Sequence, residues 1–370
     1  MKALSLLVKP ASGACMYACR YCFYADEMSL RASGVRPLMS EETLETLVRK
    51  AFSACDGSIT FAFQGGEPML AGLGFYRRLT ELEKRYRTTQ TVMNSLQTNG
   101  ALMDEEWASF FAENGFLIGL SLDGPKELHD ACRVDKAGEG TYDRTRRAAE
   151  LLAKNGAMFN VLCVVSSRNV TQPERLWEEL APYGYIQFIP CLDGFEGEGE
   201  RFSPSAEEYG DFLVRTFDLY ERAIREGHYV SMRYFDNLIR LLRGGRPESC
   251  SMNGRCCVSL TVESDGCLYP CDFYVLDKWC LGNIGTTDIP SALRGERAEE
   301  FVNKSVFMSE ECKRCSRFSL CRGGCRRERE PFVDGHPSLN RYCASYRFFF
   351  DKRLEKLREL AVYTGRFTNR

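Results

Sequence analysis

Six short apolar runs, each followed by a helical stretch, recur through roughly residues 1–230 and restrict the fold more than any other feature of the chain. The runs are Leu4–Val8, Ile59–Phe63, Val92–Leu96, Phe116–Leu120, Met158–Val165 and Tyr185–Ile189. The helical stretches between and after them are Ser40–Ala54, Gly74–Arg85, Asp104–Asn114, Tyr142–Asn155, Gln172–Leu180 and Ala206–Glu226. Ser40 ahead of Glu41 and Glu42 has the chemistry of a helix cap and acidic first turn. Strands alternating with helices predict a parallel sheet joined by right-handed crossovers. The expected fold is α/β: a curved, partial (β/α)6 TIM-like barrel over residues 1–232. A helix and a Gly-Gly-Arg-Pro linker over 233–249 would then lead to a second, cysteine-rich domain.

In such a barrel the loops leaving the C-terminal ends of the strands build the site. Here the first loop carries Cys15, Cys19 and Cys22, and the second reads Gln64-Gly65-Gly66-Glu67-Pro68. Later strand ends run into Gln97-Thr98-Asn99-Gly100, Ser121-Leu-Asp123-Gly124 and Cys191-Leu192-Asp193. Adjacent glycines allow close approach of backbone to a ligand. Thiolates spaced three residues apart and then two can converge on one iron–sulfur cluster, because soft sulfur ligands suit that chemistry. Three thiols leave one corner of a four-iron cluster open. A zinc site completed by a distant residue is the alternative that the spacing alone leaves open.

The chain has 370 residues and a formal charge of −2, so no broad field favours nucleic acid or an anionic membrane. No segment approaches membrane-spanning length and no signal peptide is recognisable, which points to a cytoplasmic protein. Eighteen cysteines in a long chain without an export signal read as metal ligands rather than disulfides. Eleven of them follow residue 249: Cys250, Cys256, Cys257, Cys267, Cys271 and Cys280, then Cys312, Cys315, Cys321, Cys325 and Cys343. Paired zinc sites are again the structural alternative. Cys55, Cys132, Cys163 and Cys191 read as small buried residues. Three isolated histidines show no metal spacing. Residues 346–370 read as a C-terminal helix and tail, with Ser345–Ala361 amphipathic.

Cys-x3-Cys-x2-Cys after a first strand with Gly-Gly-Glu-Pro after a second resembles the radical S-adenosylmethionine (SAM) enzymes. The resemblance implies that SAM chelates the open iron and is cleaved by one electron to a 5′-deoxyadenosyl radical. It implies that Gly66 holds the SAM amino group, that Ser121, Arg133 and Leu192 contact other parts of SAM, and that Tyr24 sits beside the cluster loop. The cysteine-rich region, 250–345, resembles the SPASM domain with two further four-iron clusters. By that pattern Cys250, Cys256, Cys271 and Cys325 would hold one and Cys312, Cys315, Cys321 and Cys343 the other, making three [4Fe-4S] clusters in all. Cys257 beside Cys256 leaves a swap open, and Cys267 and Cys280 have no assignment.

Tyr269-Pro-Cys-Asp272-Phe-Tyr-Val-Leu-Asp-Lys-Trp279, Phe61–Pro68 and Asn94–Gly100 resemble the anaerobic sulfatase-maturating enzymes. That resemblance implies oxidation of a Cys or Ser in a sulfatase polypeptide to Cα-formylglycine, with a low-potential electron donor. It implies Asp272 as general base, next to the cluster ligand Cys271, and Gln64 and Tyr24 as residues that orient the substrate side chain. Glu196, Glu198 and Glu200 in a Gly-rich loop are candidates to attract an arginine of the peptide. The runner-up is another SPASM enzyme acting on a peptide, for instance forming thioethers. A non-catalytic iron–sulfur carrier has no use for an open iron.

Overall fold

The computed structural model describes residues 1–195 and 201–365, so Glu196, Glu198 and Glu200 lie outside the described residues. In chain order the strands are β1 Ala3–Lys9, β2 Ser58–Phe63, β3 Thr91–Thr98, β4 Leu117–Ser121, β5 Met158–Val165 and β6 Tyr185–Pro190. Four short strands follow: β7 Ser231–Met232, β8 Leu260–Glu263, β9 Cys267–Tyr269 and β10 Gly282–Asn283. The first six and their helices stand within one or two residues of the positions expected from periodicity.

Two compact units interleave along the sequence. The first comprises Met1–Ser121, Arg133–Asn160 and Cys257–Phe301. Its strands run parallel from β8 through β1, β2 and β3 to β4, with Leu6 opposite Phe61 on one side and Leu260 on the other. Alternation explains the register: Leu4, Leu6 and Val8 of β1 and Ile59, Phe61 and Phe63 of β2 are buried. β9 and β10 extend the β8 edge as antiparallel strands. Ser40 accepts the Thr43 amide at 3.1 Å and Asp104 accepts the Trp107 amide at 3.0 Å, so both helices begin on side-chain caps. An aromatic cluster fills the space behind β2 and β3. Tyr76 meets Phe63 at 5.2 Å, Trp107 at 5.5 Å and Phe116 at 6.3 Å, all edge to face.

The second unit comprises Leu122–Cys132, Val161–Cys256 and Val302–Arg370. β5, β6 and β7 pair in parallel within it. Helix Ala206–Arg225 opens on a reciprocal capping box between Ser205 and Glu208. The C-terminal helix Cys343–Gly365 packs against it and against helix Arg233–Leu242, with Phe349 5.6 Å from Phe217 of the first and 5.5 Å from Phe235 of the second. Arg353 clamps Asp218 through two bonds of 2.7 and 2.6 Å. Among the described residues no helix is long and apolar enough to cross a membrane.

Candidate active site

β1 ends at Lys9, and the chain then turns into the loop that carries Cys15, Cys19 and Cys22, all partly exposed. The Tyr17 amide donates to Cys15 Sγ at 3.4 Å and Asn99 Nδ2 donates to it at 3.5 Å. Burial pushes the Cys15 thiol up to about 11, while these two donors favour the thiolate that would bind iron. Asn99 owes its place to Glu67. The buried Glu67 carboxylate accepts the Met69 amide at 3.1 Å, the Thr98 hydroxyl at 2.8 Å and the Asn99 amide at 2.9 Å. It therefore ties the end of β2 to the end of β3, beside the cysteine loop. Gly66 has φ +52°, and a Cβ there would lie 2.2 Å from the Ala14 carbonyl oxygen. The chain passes so close to the cysteine loop that only glycine fits, and its backbone groups stay accessible to a ligand.

Asp272 is reached from β9 through Pro270 and Cys271 and is buried. Its Oδ2 accepts the Tyr24 hydroxyl at 2.7 Å and Gln64 Nε2 at 2.9 Å, and Gln64 also donates to the Tyr24 oxygen at 2.6 Å. The other oxygen, Oδ1, accepts no hydrogen bond and faces the Lys9 ammonium at 3.8 Å. Lys9 is fully buried, 2.9 Å from Glu27 and 4.4 Å above the Tyr24 ring. Arg31 continues the network, 3.2 Å from Glu27 and 2.5 Å from Glu263. Burial raises the Asp272 pKa, and Lys9 works against that rise. The three residues read from the sequence, Tyr24, Gln64 and Asp272, thus form one hydrogen-bonded cluster. The sequence does not single out Lys9, Glu27, Arg31 or Glu263, and it gives Glu67 only as part of the Gly-Gly-Glu-Pro motif, without its tie between β2 and β3. Lys9 was the one with a visible signal, a charge closing an apolar strand.

Ser121 ends β4 and is partly exposed. Arg133 is buried rather than solvated, its guanidinium 5.5 Å over the Tyr21 ring. In the second unit Leu192 lies on the loop after β6, half-buried. Cys312, Cys315, Cys321 and Cys343 line one cavity of about 350 Å³ in that unit. Among the described residues no three His, Cys, Asp or Glu side chains are placed to hold a single metal ion. Four thiols lining one cavity are the soft donor set that suits a four-iron cluster. Burial and the other three thiols push Cys321 up to about 12. Burial first, then Glu328, with smaller contributions from Cys250 and Cys256, pushes the Cys325 thiol well above the ordinary range. Cys271 belongs to the first unit, as does the exposed Cys257. Cys55, Cys132, Cys163 and Cys191 are buried, as their segments predicted.

Residues 10–180 match the Radical SAM superfamily and residues 250–316 the SPASM iron–sulfur cluster-binding domain. The fold and the cysteine loop thus define a radical SAM enzyme with a SPASM extension, whose cofactors are four-iron clusters and SAM. A cysteine-type anaerobic sulfatase-maturating enzyme of Clostridium perfringens (strain 13 / Type A) is 45% identical over 98% of this chain and 99% of its own. A serine-type enzyme of Bacteroides thetaiotaomicron is 32% identical, covering 94% and 89%. The solved structure of native anSMEcpe with bound AdoMet and Cp18Cys peptide aligns with a TM-score of 0.93 at 42% identity, covering 98% of this chain and 99% of that one. Streptococcus suis SuiB bound to precursor peptide SuiA aligns at 0.64 with 14% identity over 92% and 76%, a likeness of fold alone. The chain belongs to the anaerobic sulfatase-maturating enzymes.

Proposed function

We propose that this chain oxidises a cysteine in an unfolded or nascent sulfatase polypeptide to Cα-formylglycine, with Asp272 as the general base. The observation that carries the reading is the Asp272 carboxylate. One oxygen is fixed by Tyr24 and Gln64 and the other is buried with no hydrogen-bond donor on it. A buried carboxylate oriented by two donors, with acceptor capacity not used by hydrogen bonds within the chain, has the chemistry of a general base. The cysteine-type relatives, at 39 to 45% identity against 32% for the serine-type, favour a thiol substrate.

When bound, SAM and its cluster supply a hydrogen-abstracting deoxyadenosyl radical and the SPASM clusters an electron acceptor. The residues of the chain do the rest. Tyr24 and Gln64 orient Asp272, Lys9 faces its other oxygen at 3.8 Å, and the carboxylate removes the proton of the substrate thiol. Lys9 and Arg31, balanced by Glu27 and Glu263, keep water and stray counterions from being needed in the interior. Loss of a Cβ hydrogen, a thiol proton and one further electron leaves a thioaldehyde, which water converts to the aldehyde with release of sulfide.

Cys15, Cys19 and Cys22 are proposed to hold the cluster that binds SAM. Gly66, Ser121, Arg133 and Leu192 are proposed as SAM contacts, with Tyr24 on the cofactor side as well. The ligand sets Cys250, Cys256, Cys271, Cys325 and Cys312, Cys315, Cys321, Cys343 are retained for the other two clusters. The contribution of Cys256 at Cys325 supports Cys256 over Cys257. The boundaries at 232, 249 and 345, a cytoplasmic location, a low-potential electron donor and the absence of nucleic-acid or membrane partners complete the proposal.

The decisive experiment incubates the reconstituted protein with SAM, dithionite and a cysteine-containing sulfatase peptide under argon. A mass loss matching an aldehyde, with sulfide released, is the expected result; a thioether crosslink would move the chain to the runner-up activity. A second measurement checks the cluster loop. Anaerobic reconstitution should give about twelve irons in the wild type and about eight when Cys15, Cys19 and Cys22 are all alanine. Equal iron in the two proteins would contradict the ligand assignment.

A further inference from the structure

The turn that leaves β6 is held from the far end of its own unit. β6 stops at Pro190, and Cys191, Leu192 and Asp193 belong to no strand or helix. The Cys191 amide still reaches back to the Val165 carbonyl of β5 at 2.9 Å. The two carbonyls that flank Leu192 are then taken by side chains 151 and 134 residues further along the chain. The Tyr342 hydroxyl donates to the Cys191 carbonyl at 2.9 Å, and the Arg327 guanidinium donates to the Asp193 carbonyl at 2.7 Å. Tyr342 is 1% exposed and Arg327 5%, so both bonds are made away from bulk water.

Further contacts fix the same turn. The Arg327 guanidinium lies 3.7 Å over the Phe195 ring, and Arg341 donates to the Asp193 carboxylate at 3.1 Å. The holding side chains are themselves tied together. Asn340 Nδ2 donates to Glu328 Oε2 at 2.6 Å, the Arg341 amide donates to the Glu328 carbonyl at 2.9 Å, and Asn340 Oδ1 accepts the Tyr342 amide at 2.8 Å. A buried guanidinium and a buried phenol are costly unless their polar groups are met, and each here meets a main-chain oxygen of one short turn. Such bonds fix the path of the backbone whatever side chains it carries. The turn lies beyond the radical SAM match, which ends at residue 180, and Arg327, Arg341 and Tyr342 lie beyond the SPASM match, which ends at 316.

We propose that Arg327 and Tyr342, supported by Arg341, are positioning residues for SAM, which lock Cys191–Asp193 in the path that presents Leu192 to the cofactor. The proposal rests on the reading that Leu192 contacts SAM. The two residues act through the turn and not by touching SAM. Where the turn is released, only the fraction of molecules in the right path binds, and the apparent affinity falls by that fraction. Arg327 stands two residues after Cys325, to whose sulfur its amide donates at 3.4 Å, and Tyr342 immediately precedes Cys343. The segments that present ligands for the SPASM clusters therefore also set the affinity for the cofactor.

The test uses the reconstituted holoenzyme and SAM itself, with the dissociation constant read by equilibrium dialysis under argon and iron counted on the same samples. Tyr342→Phe removes one hydrogen bond and should weaken SAM about three- to tenfold. Arg327→Met removes a charge-assisted bond and should weaken it by about tenfold or more. Arg327→Lys keeps a cationic donor for the Asp193 carbonyl and should fall between the wild type and Arg327→Met. Iron should stay at the wild-type level in each. Leu192→Arg, which drives a long charged side chain towards the cofactor, should weaken SAM most. Wild-type affinity in Leu192→Arg removes Leu192 as a SAM contact, and the proposal with it. Weak binding by Leu192→Arg beside wild-type affinity in Tyr342→Phe and Arg327→Met overturns the proposal alone. Tyr342→Phe is the milder change and decides the matter if Arg327→Met does not fold. Affinity that falls only in step with iron, or a lowered urea midpoint with the dissociation constant unmoved, also overturns it, because the two residues would then serve the clusters or the fold and not SAM.

Discussion

Replacing Asp272 by Asn is expected to lower formylglycine formation by about 10²- to 10⁴-fold, the range by which a positioned base contributes. Iron content and SAM binding should be unaffected. Asn matches Asp in shape and still offers one oxygen to Tyr24 and Gln64, so the cluster of side chains at the end of β1 can persist. It cannot take a proton. The electrostatics explain why Asp272 can. Three carboxylates, Glu27, Glu263 and Asp272, share the buried network with two cations, Lys9 and Arg31. With all five charged, the network carries one excess negative charge in a dry environment, and a proton on Asp272 removes it. Trapping the aldehyde on the peptide while following 5′-deoxyadenosine release separates the two functions. Aldehyde produced at the wild-type rate by the Asn variant would remove Asp272 from the mechanism.

The part of this arrangement that local pattern can carry was readable beforehand. β1 and β2 follow from the short apolar runs Leu4–Val8 and Ile59–Phe63, whose Leu4, Leu6, Val8, Ile59, Phe61 and Phe63 are buried. Strands β8, β9 and β10 were not foreseen, because Leu260–Glu263, Cys267–Tyr269 and Gly282–Asn283 are too short to display a period. The pairing of β8 with β1 and of β9 with β8 is long-range, and it brings the segment that carries Asp272 beside Lys9. Asp272 itself was legible from its neighbour Cys271. Glu27, Arg31 and Glu263 were not, since charged residues are expected at the surface and nothing local marks these as buried. Arg133 is buried too, with its guanidinium over the Tyr21 ring.

Glu67 is the second position where a single change should have a large effect. Glu67→Ala leaves three buried donors, the Met69 and Asn99 amides and the Thr98 hydroxyl, without their acceptor. At about 1 to 3 kcal/mol each the cost is several kcal/mol, a large share of the stability of a typical protein. The damage falls on the link between β2, β3 and the cysteine loop, so cluster incorporation should fail before the rest of the fold does. Glu67→Gln keeps the shape and the one oxygen that serves the Met69 amide and the Thr98 hydroxyl, loses only the acceptor of the Asn99 amide, and should be milder than Ala, which allows a sharper measurement. Burial pushes the Glu67 carboxyl from 4.5 up to about 7, against the pull of its three donors. A folded-state pKa above the unfolded one means that the native protein binds the extra proton. Its stabilising contribution is therefore complete below about pH 4.5 and is lost as pH rises through about 7, roughly 3 kcal/mol in total. Gln has no such titration. The stability difference between wild type and Glu67→Gln, read from urea midpoints under argon, should thus move against the wild type between about pH 5 and about pH 8. A difference that stays flat across that interval would mean that the three donors outweigh burial and that Glu67 is an ordinary carboxylate held ionised in the core.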